Sequence, residues 1–408
     1  MRILWVKPDF LHPTTRGGQI RTLEMLRCLH RSHEVHYVGL YDGTYPEALE
    51  RASEYCSRYY AIPHQPPSKD SPLFAVQLAR SLFSPMPVAV SRWISAKARR
   101  KIEELLAREG FDTLVCDFLA SAPNIPDISR AVLFQHNVES MIWARRAEHA
   151  RNPVEKRYLQ LQHKRMRAVE ADWCHRAGRV VAVSAADAGI MQREFGVAHV
   201  SEVATGVDVD YFAPPPESAP GADLVFVGSM DWYPNEDGVG FFLREVWPRI
   251  VDRRPETTVA IVGRKPPTGI AAQAQADARI TVTGTVPDVR PYFWGARASI
   301  VPLRIGGGTR LKIYEAMAAG VPVISTSIGY EGLPLTPGRD LEVADTAEEF
   351  AARCMRLLED PAAARCMGHA GRELVKQKYS WETVVRGFEA ILAAGPRPSG
   401  NLPAGLLR

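Results

Sequence analysis

Three consecutive glycines, Gly306, Gly307 and Gly308, followed by Thr309, Arg310, Lys312 and Glu315, form the densest group of chemistry-bearing residues in the chain. Glycine lets the backbone approach a ligand closely, and free N–H groups at a helix start attract anions. A strand ending in VPLRI, a glycine turn and a helix opening at Thr309 would make such a site, with Arg310 and Lys312 in the first helical turn. Cations there oppose the helix dipole unless an anion is bound. Glu315 follows one turn later, and Gly320-Val321-Pro322 ends the helix. The plain alternative is a glycine-rich turn with solvated charges.

Two further groups stand in the first half. LFQHNVESMIW ends a strand at His136-Asn137 and enters a helix with Glu139 in its first turn. A histidine at a strand's carboxyl end faces the ligand crevice of an open α/β sheet, or else serves as a structural cap. Next, eight basic residues (Arg145, Arg146, Arg151, Lys156, Arg157, Lys164, Arg165, Arg167) stand against only Glu148 and Glu155. They read either as a solvated helix face, with Val154, Tyr158, Leu159, Leu161 and Met166 turned inward, or as a patch for a phosphorylated or lipid-linked acceptor at an anionic membrane. Asp208-Val209-Asp210 spells a metal-binding triplet of another fold, but beside Thr205-Gly206 it reads as a turn. No P-loop, no GxGxxG after the first strand and no GxSxG elbow occur, which leaves dinucleotide redox chemistry without support.

These residues need rigid strands and helices behind them, and the pattern supplies them. Ile3–Val6 reads as a buried strand, a loop with Gly17-Gly18 follows, then a helix through QIRTLEMLRCLH and the strand EVHYVGL. FDTLVCD, AVLFQHN and RVVAVSAAD continue the alternation. After the Pro/Gly/Ala-rich TGVDVDYFAPPPESAPGA it restarts with ADLVFVGS, TVAIVGR, RITVTG, ASIVPL and VPVISTS. The expected fold is α/β, with two doubly wound, Rossmann-like domains. The boundaries are an N-terminal domain over 1–205, a linker over 206–221 and a C-terminal domain over 222–378. A helix over 379–394 packs back toward the first domain, and a flexible tail covers 395–408.

With 408 residues, 46% of them hydrophobic and 24% charged, the chain can bury enough apolar surface to exclude disorder. A net charge of +4 is too small for a polyanion-coating protein, so no nucleic-acid partner is expected. Cys28, Cys56, Cys116, Cys174, Cys354 and Cys366 lie far apart, as suits buried thiols in a reducing compartment. No apolar run is long enough to span a bilayer or resembles a signal peptide. The expectation is a cytoplasmic protein, with the inner face of the cell membrane as a possible place of action.

The order of motifs resembles glycosyltransferase family 4, the retaining, nucleotide-sugar-dependent transferases of the GT-B fold. The resemblance rests on the early Gly17-Gly18, TGVDVDYF, FVGSMDWYPNEDGV, GTVPDVRPYFWGARASIVPL and EAMAAGVPVIS, and it covers most of the chain. It implies two domains facing across a cleft. Glu315 would hydrogen-bond the ribose of the donor nucleotide, the glycine-turn amides would hold its diphosphate, and Val286, Pro287 and Asp288 would border the base. His136 would lie near the donor sugar, Gly17 and Gly18 near phosphate and acceptor, with Gly228 and Arg264 also on the donor side. Two departures stand out: Gly307 replaces a second glutamate common in the family, and Ser229 and Asn235 stand near the places of an arginine and a lysine. Arg310 and Lys312 would take over phosphate neutralisation. The departures resemble a branch with GGGTRLK and DWxPN segments, found in exopolysaccharide or lipid-linked sugar assembly. The activity implied is retaining, front-face transfer from a nucleotide-diphosphate sugar to a saccharide or lipid-linked acceptor, with no cofactor and no metal. The alternatives are a non-catalytic nucleotide-sugar binder and a sugar-nucleotide epimerase of the same fold.

Overall fold

The computed structural model describes residues 1–14, 17–67, 71–150, 152–215, 221–305 and 310–395. The chain divides into two compact units: Met1–Ala204 joined by the C-terminal stretch from Val384, and Thr205–Thr383.

The first unit is built on a parallel sheet of β1 (Arg2–Lys7), β2 (Glu34–Tyr41), β3 (Arg58–Pro63), β4 (Thr113–Asp117), β5 (Ala131–Phe134), β6 (Arg179–Ala182) and β7 (Val200–Glu202), in the order β3-β2-β1-β4-β5-β6-β7. Ile3, Leu4, Trp5 and Val6 are all buried, because a parallel sheet covered by helices has no water-facing side. Helix α1 (Gly17–His30) follows β1, α2 (Pro72–Ser81) follows β3, and α3 (Glu139–His149) and α4 (Pro153–Arg176) follow β5. The sheet of the second unit holds β8 (Leu224–Val227), β9 (Val259–Val262), β10 (Ile280–Gly284), β11 (Ala298–Val301), β12 (Val323–Ser325) and β13 (Glu342–Val343), ordered β10-β9-β8-β11-β12-β13. Here α5 (Tyr233–Phe241) follows β8, α6 (Leu311–Ala318) joins β11 to β12, and α7 (Trp381–Ala393) carries the chain back to the first unit. Strand order reverses between β1 and β4 and between β8 and β11, which opens a ligand crevice at the carboxyl ends of those strands.

Several elements differ from the sequence reading. Gly17 and Gly18 are not in a loop; they form the first residues of α1. β3 escaped the pattern because it is half-exposed and ends in proline, so it lacks a continuous apolar run. The stretch after Thr205 is built into the second unit as far as the structure describes it: Val207 N donates to Tyr379 O at 2.8 Å, and the Trp381 ring covers Gly206 so closely that a Cβ there would come within 2.3 Å of it. Asp208 Oδ1 accepts from Tyr211 N at 2.8 Å, so the acidic triplet is a turn. In α4 the buried residues are Leu159, Gln162, Met166, Glu170 and Cys174, while Val154 faces solvent. The inward stripe therefore drifts from the one expected, because Leu159 and Met166 pack with Trp143 and Ala147 of α3, and the first turn stays exposed. From residue 396 the expected tail lies outside the described residues, as do Ser68–Asp70 and residues 216–220 of the linker.

Candidate functional site

In the second unit, α6 buries Leu311, Ile313, Tyr314, Ala316, Met317 and Ala318. Only Lys312 and Glu315 remain half-buried, three residues apart and hence on one face. The helix is closed by Gly320 at φ +73°, whose N–H reaches Met317 O at 2.8 Å, and by Pro322 beyond it. Lys312 Nζ donates to Asn235 Oδ1 at 2.6 Å and lies 4.5 Å from the Phe226 ring centre. Asn235 Nδ2 in turn donates to Ser229 O at 2.7 Å. Gly228, just past β8, leaves room for this pair: a Cβ there would come within 2.8 Å of Lys312 Nζ and 2.9 Å of Asn235 Nδ2. Dehydration pushes the Lys312 ammonium down to about 7, with Arg310 acting the same way and Glu315 opposing. It pushes the Glu315 carboxyl up to about 7, against the pull of Lys312. A lysine and a carboxyl that both titrate near neutrality at a sheet's switch point are features of functional sites.

The neighbouring residues brace this face. Arg264 Nε donates to Ser229 Oγ at 2.8 Å and pairs with Asp231 at 3.0 Å. Gly263, at φ +153°, allows β9 to abut the first turn after β8, since a Cβ would lie 2.0 Å from Gly228 O. Val286 is half-buried, and the hydrogen bond from Arg290, 2.7 Å away, holds the Asp288 pKa below its ordinary value. Arg290 also donates to Tyr211 O at 3.2 Å and sits 4.0 Å over its ring. Arg310 is buried; it donates to Ile328 O at 2.9 Å and has Glu331 at 3.7 Å, so its guanidinium serves the 328–331 turn. α6 begins at Leu311 with Arg310 as its cap residue, and Lys312 alone of the two expected cations lies within the helix. Gly306, Gly307, Gly308 and Thr309 lie outside the described residues.

The first unit gathers a second group at the ends of β1, β4 and β5. Asp117 is fully buried; its Oδ2 accepts from Trp5 Nε1 at 3.0 Å and Thr22 Oγ1 at 2.7 Å, and its Oδ1 lies 2.6 Å from His136 Nε2. Lys7 Nζ stands 4.0 Å from Oδ2 and 3.2 Å from Asp9. Burial works to protonate Asp117, but Lys7, His136 and Thr22 outweigh it and hold its pKa below the ordinary value. Burial also pushes the His136 imidazolium down to about 4, so the ring is neutral at physiological pH. Asp117 then selects the Nε2–H tautomer, which leaves Nδ1 a buried acceptor with no hydrogen-bond partner among the described residues. Phe118 stacks on the imidazole at 3.9 Å from a backbone at φ +68°, ψ 145°, a region nearly closed to non-glycine residues. Gly18 makes this possible: a Cβ there would lie 2.5 Å from the tip of the Phe118 ring.

The loop carrying His136 is tied to α4. Glu170 Oε1 accepts from Glu139 N at 2.7 Å and Oε2 from Ser140 N at 2.9 Å, capping α3. Of the basic residues, Arg146, Lys156, Arg157, Lys164 and Arg167 are exposed and Arg145 is half-buried. Arg146 lies over the Trp143 ring at 5.2 Å, and Arg167 is 3.8 Å from Glu194. Arg165 is spent on the Ser81 and Leu82 carbonyls, and Arg151 lies outside the described residues. Sequence reasoning missed Lys7, Asp117, Phe118 and Glu170. A signal existed for two of them: Lys7 and Asp117 are the charged residues that end the apolar runs ILWV and LVC.

Residues 15–211 match the model of Glycosyltransferase Family 4, and residues 221–360 match Glycosyl transferases group 1. A Corynebacterium glutamicum GDP-mannose-dependent monoacylated alpha-(1-6)-phosphatidylinositol monomannoside mannosyltransferase is 28% identical over 38% of this chain and 44% of its own, so the match spans less than half of that relative. Among solved structures, sucrose-phosphate synthase from Thermosynechococcus elongatus superposes with a TM-score of 0.70 at 17% identity over 97% of this chain and 100% of that one. An Anabaena protein, HepE, in complex with UDP does so at 0.69 and 12% identity, again over 97% and 100%. With both units matched in chain order and two parallel sheets of this topology, the chain belongs to the group 1, family 4 glycosyltransferases and has their GT-B fold.

Proposed function

We propose that the chain binds a nucleotide-diphosphate sugar mainly on its second unit and transfers the sugar, with retention, to a hydroxyl of a saccharide or lipid-linked acceptor held mainly by its first. The observation that carries this reading is the Lys312–Asn235 pair, an ammonium seated over Gly228 at the carboxyl end of β8 with Glu315 three residues on. A nucleoside diphosphate offers two matching features, a diphosphate for the ammonium and a vicinal ribose diol for the carboxylate. A bound diphosphate stabilises the charged Lys312, and Lys312 stabilises the ionised Glu315, so one ligand draws both groups into their charged forms.

Lys312, with the amides at the start of α6, then meets the negative charge that grows on the departing diphosphate. Arg310 acts indirectly, by holding the 328–331 turn against the helix start. His136 accepts a hydrogen bond from a sugar hydroxyl at Nδ1, and Asp117 fixes the tautomer that makes this possible. Position 307 carries glycine where a second glutamate is common, which supports membership in the GGGTRLK branch and front-face transfer assisted by a phosphate oxygen. The curated relative's GDP-mannose and lipid acceptor, and the UDP in HepE, support the donor class and a glycolipid or polysaccharide product. The exposed Lys156, Arg157, Lys164 and Arg167 support contact with an anionic membrane at the inner face of the cell membrane.

The test is incubation with a panel of UDP- and GDP-sugars, followed for release of the nucleoside diphosphate, with the anomeric configuration of the product read by NMR. Release from one donor and a retained anomer are expected. Failure to bind UDP or GDP, or an inverted product, would overturn the reading.

A further inference from the structure

The outer side of α2 is made of the wrong residues for water. PLFAVQLARS turns Leu78 inward, where it packs against the cluster of Leu159, Met166 and Trp143. Leu73 and Val76, three residues apart and so on a shared face, are 68% and 53% exposed. The turn that follows adds Leu82 and Phe83, the latter 89% exposed. A helix lying on a soluble protein places polar residues on that side.

The segment after α2 is anchored to α4. Arg165 Nη2 donates to Leu82 O at 2.7 Å, Ser81 Oγ meets Tyr158 Oη at 3.3 Å, and Gln162 accepts from Val88 N at 3.0 Å. Val154, one helical turn before Tyr158 on the same side of α4, is 78% exposed and extends the apolar surface. A depression of about 380 Å³ opens between Leu73, Val76, Ser84 and Ser91.

Charge selects the occupant. No acidic residue occurs between Asp70 and Glu103, and from residue 153 to 168 Glu155 alone is acidic, against Lys156, Arg157, Lys164, Arg165 and Arg167. On α4, Arg157 and Lys164 are exposed, and seven residues apart they fall on one side of the helix, each next to a residue (Tyr158, Arg165) that contacts the end of α2. A second copy of this chain would bring like charges together; an anionic surface would not. No helix among the described residues is long and apolar enough to cross a bilayer, so the surface lies on lipid and does not span it.

We propose that α2, the Leu82–Phe83 turn and the start of α4 form a docking surface that inserts its apolar side chains into an anionic lipid bilayer while Arg157 and Lys164 meet the headgroups. This deepens the membrane contact proposed above and is independent of the donor chemistry. Leu73, Val76 and Phe83 enter the acyl boundary, and the depression beside them gives an acyl chain room.

The experiment is co-sedimentation of the full chain with phosphatidylcholine vesicles, with and without phosphatidylglycerol, at low and high salt. Binding is expected only with phosphatidylglycerol, weakening as salt screens the headgroups. Phe83→Asp combined with Leu73→Asp should lower vesicle binding about tenfold or more while leaving UDP or GDP binding unchanged. A chain that stays in the supernatant with phosphatidylglycerol vesicles, or a double variant that binds them as well as the parent, overturns the proposal. So does a dimer in sedimentation velocity that the double variant dissolves, since a second copy would then be the occupant. Loss of UDP and GDP binding in the parent chain would count against the donor reading alone.

Discussion

Asp117 Oδ1 and His136 Nε2 lie 2.6 Å apart, both fully buried, at the ends of the adjacent strands β4 and β5. The carboxylate has a second full set of donors in Trp5 and Thr22, with Lys7 close by. It is therefore the negative centre of the cluster, and the histidine is its neutral partner.

Asp117→Asn tests that assignment. The variant leaves Lys7 buried with only Asp9 to face it and removes the selection of the His136 tautomer. Loss of one partner of a buried charge pair costs about 3–5 kcal/mol, and the remaining Asp9 puts this case near about 3. Denaturant unfolding should show that loss, and sugar transfer should fall far more than donor binding. A variant as stable as the parent would show that the cluster does not depend on the charge.

Acid should weaken the first unit through the same pair. The folded His136 takes a proton only near 4 against 6.5 for the free side chain, so between those values the unfolded chain binds more protons. Stability therefore rises with pH across that window and is lost as pH falls from about 6.5 toward about 4. His136→Gln should flatten the profile there, as read from unfolding midpoints at a series of pH values.

Glu170 should act in the opposite sense. Its folded pKa is raised by burial from 4.5 to about 8, so its contribution is full below 4.5 and is lost as pH rises through about 8. Glu170→Gln keeps one acceptor for the Glu139 and Ser140 amides and removes the titration. It should erase the decline in stability between about 4.5 and about 8, read from unfolding midpoints across that range. An unchanged slope across that window in this variant would show that another group is responsible.

Donor binding should take up protons. Lys312 titrates at about 7 in the unliganded chain, and a diphosphate beside it favours its charged form. Calorimetry of UDP or GDP binding above neutral pH, in buffers of different ionisation enthalpy, should therefore show net uptake, and Lys312→Met should abolish it. A charge-assisted hydrogen bond contributes about 1.5–3 kcal/mol, so affinity should fall roughly tenfold to a hundredfold. Uptake that survives in Lys312→Met would locate the proton elsewhere.

Gly18→Ala should strike at Phe118. The added Cβ would lie 2.5 Å from the ring tip, so the ring must leave its stack on His136. Overpacking of this kind costs about 1–3 kcal/mol. Adding Phe118→Ala removes the clash, so the pair should be less destabilised than the sum of the single changes, a coupling that a double-mutant cycle measures.

The sequence by itself carries the α/β alternation and the two-sheet fold, because strands buried on both faces must be continuous apolar runs and amphipathic helices must show their period. β1, β4 and β8 were legible for that reason, whereas the half-exposed β3 was not. Lys312 and Glu315 were also visible, since two polar residues three apart in a helix share a face whatever surrounds them. Only the tertiary structure decided what these residues meet. Lys312 finds Asn235, far off in the sequence, because β8 and β11 are neighbours where the strand order reverses. Asp117 finds His136 and Lys7 because β1, β4 and β5 lie side by side. The tertiary structure also separated Arg310 from Lys312, two residues away, turning the first into an internal brace and the second toward Gly228. A side chain's period is local and can be read from its neighbours, but its burial, its partners and hence its pKa depend on which strands lie next to each other.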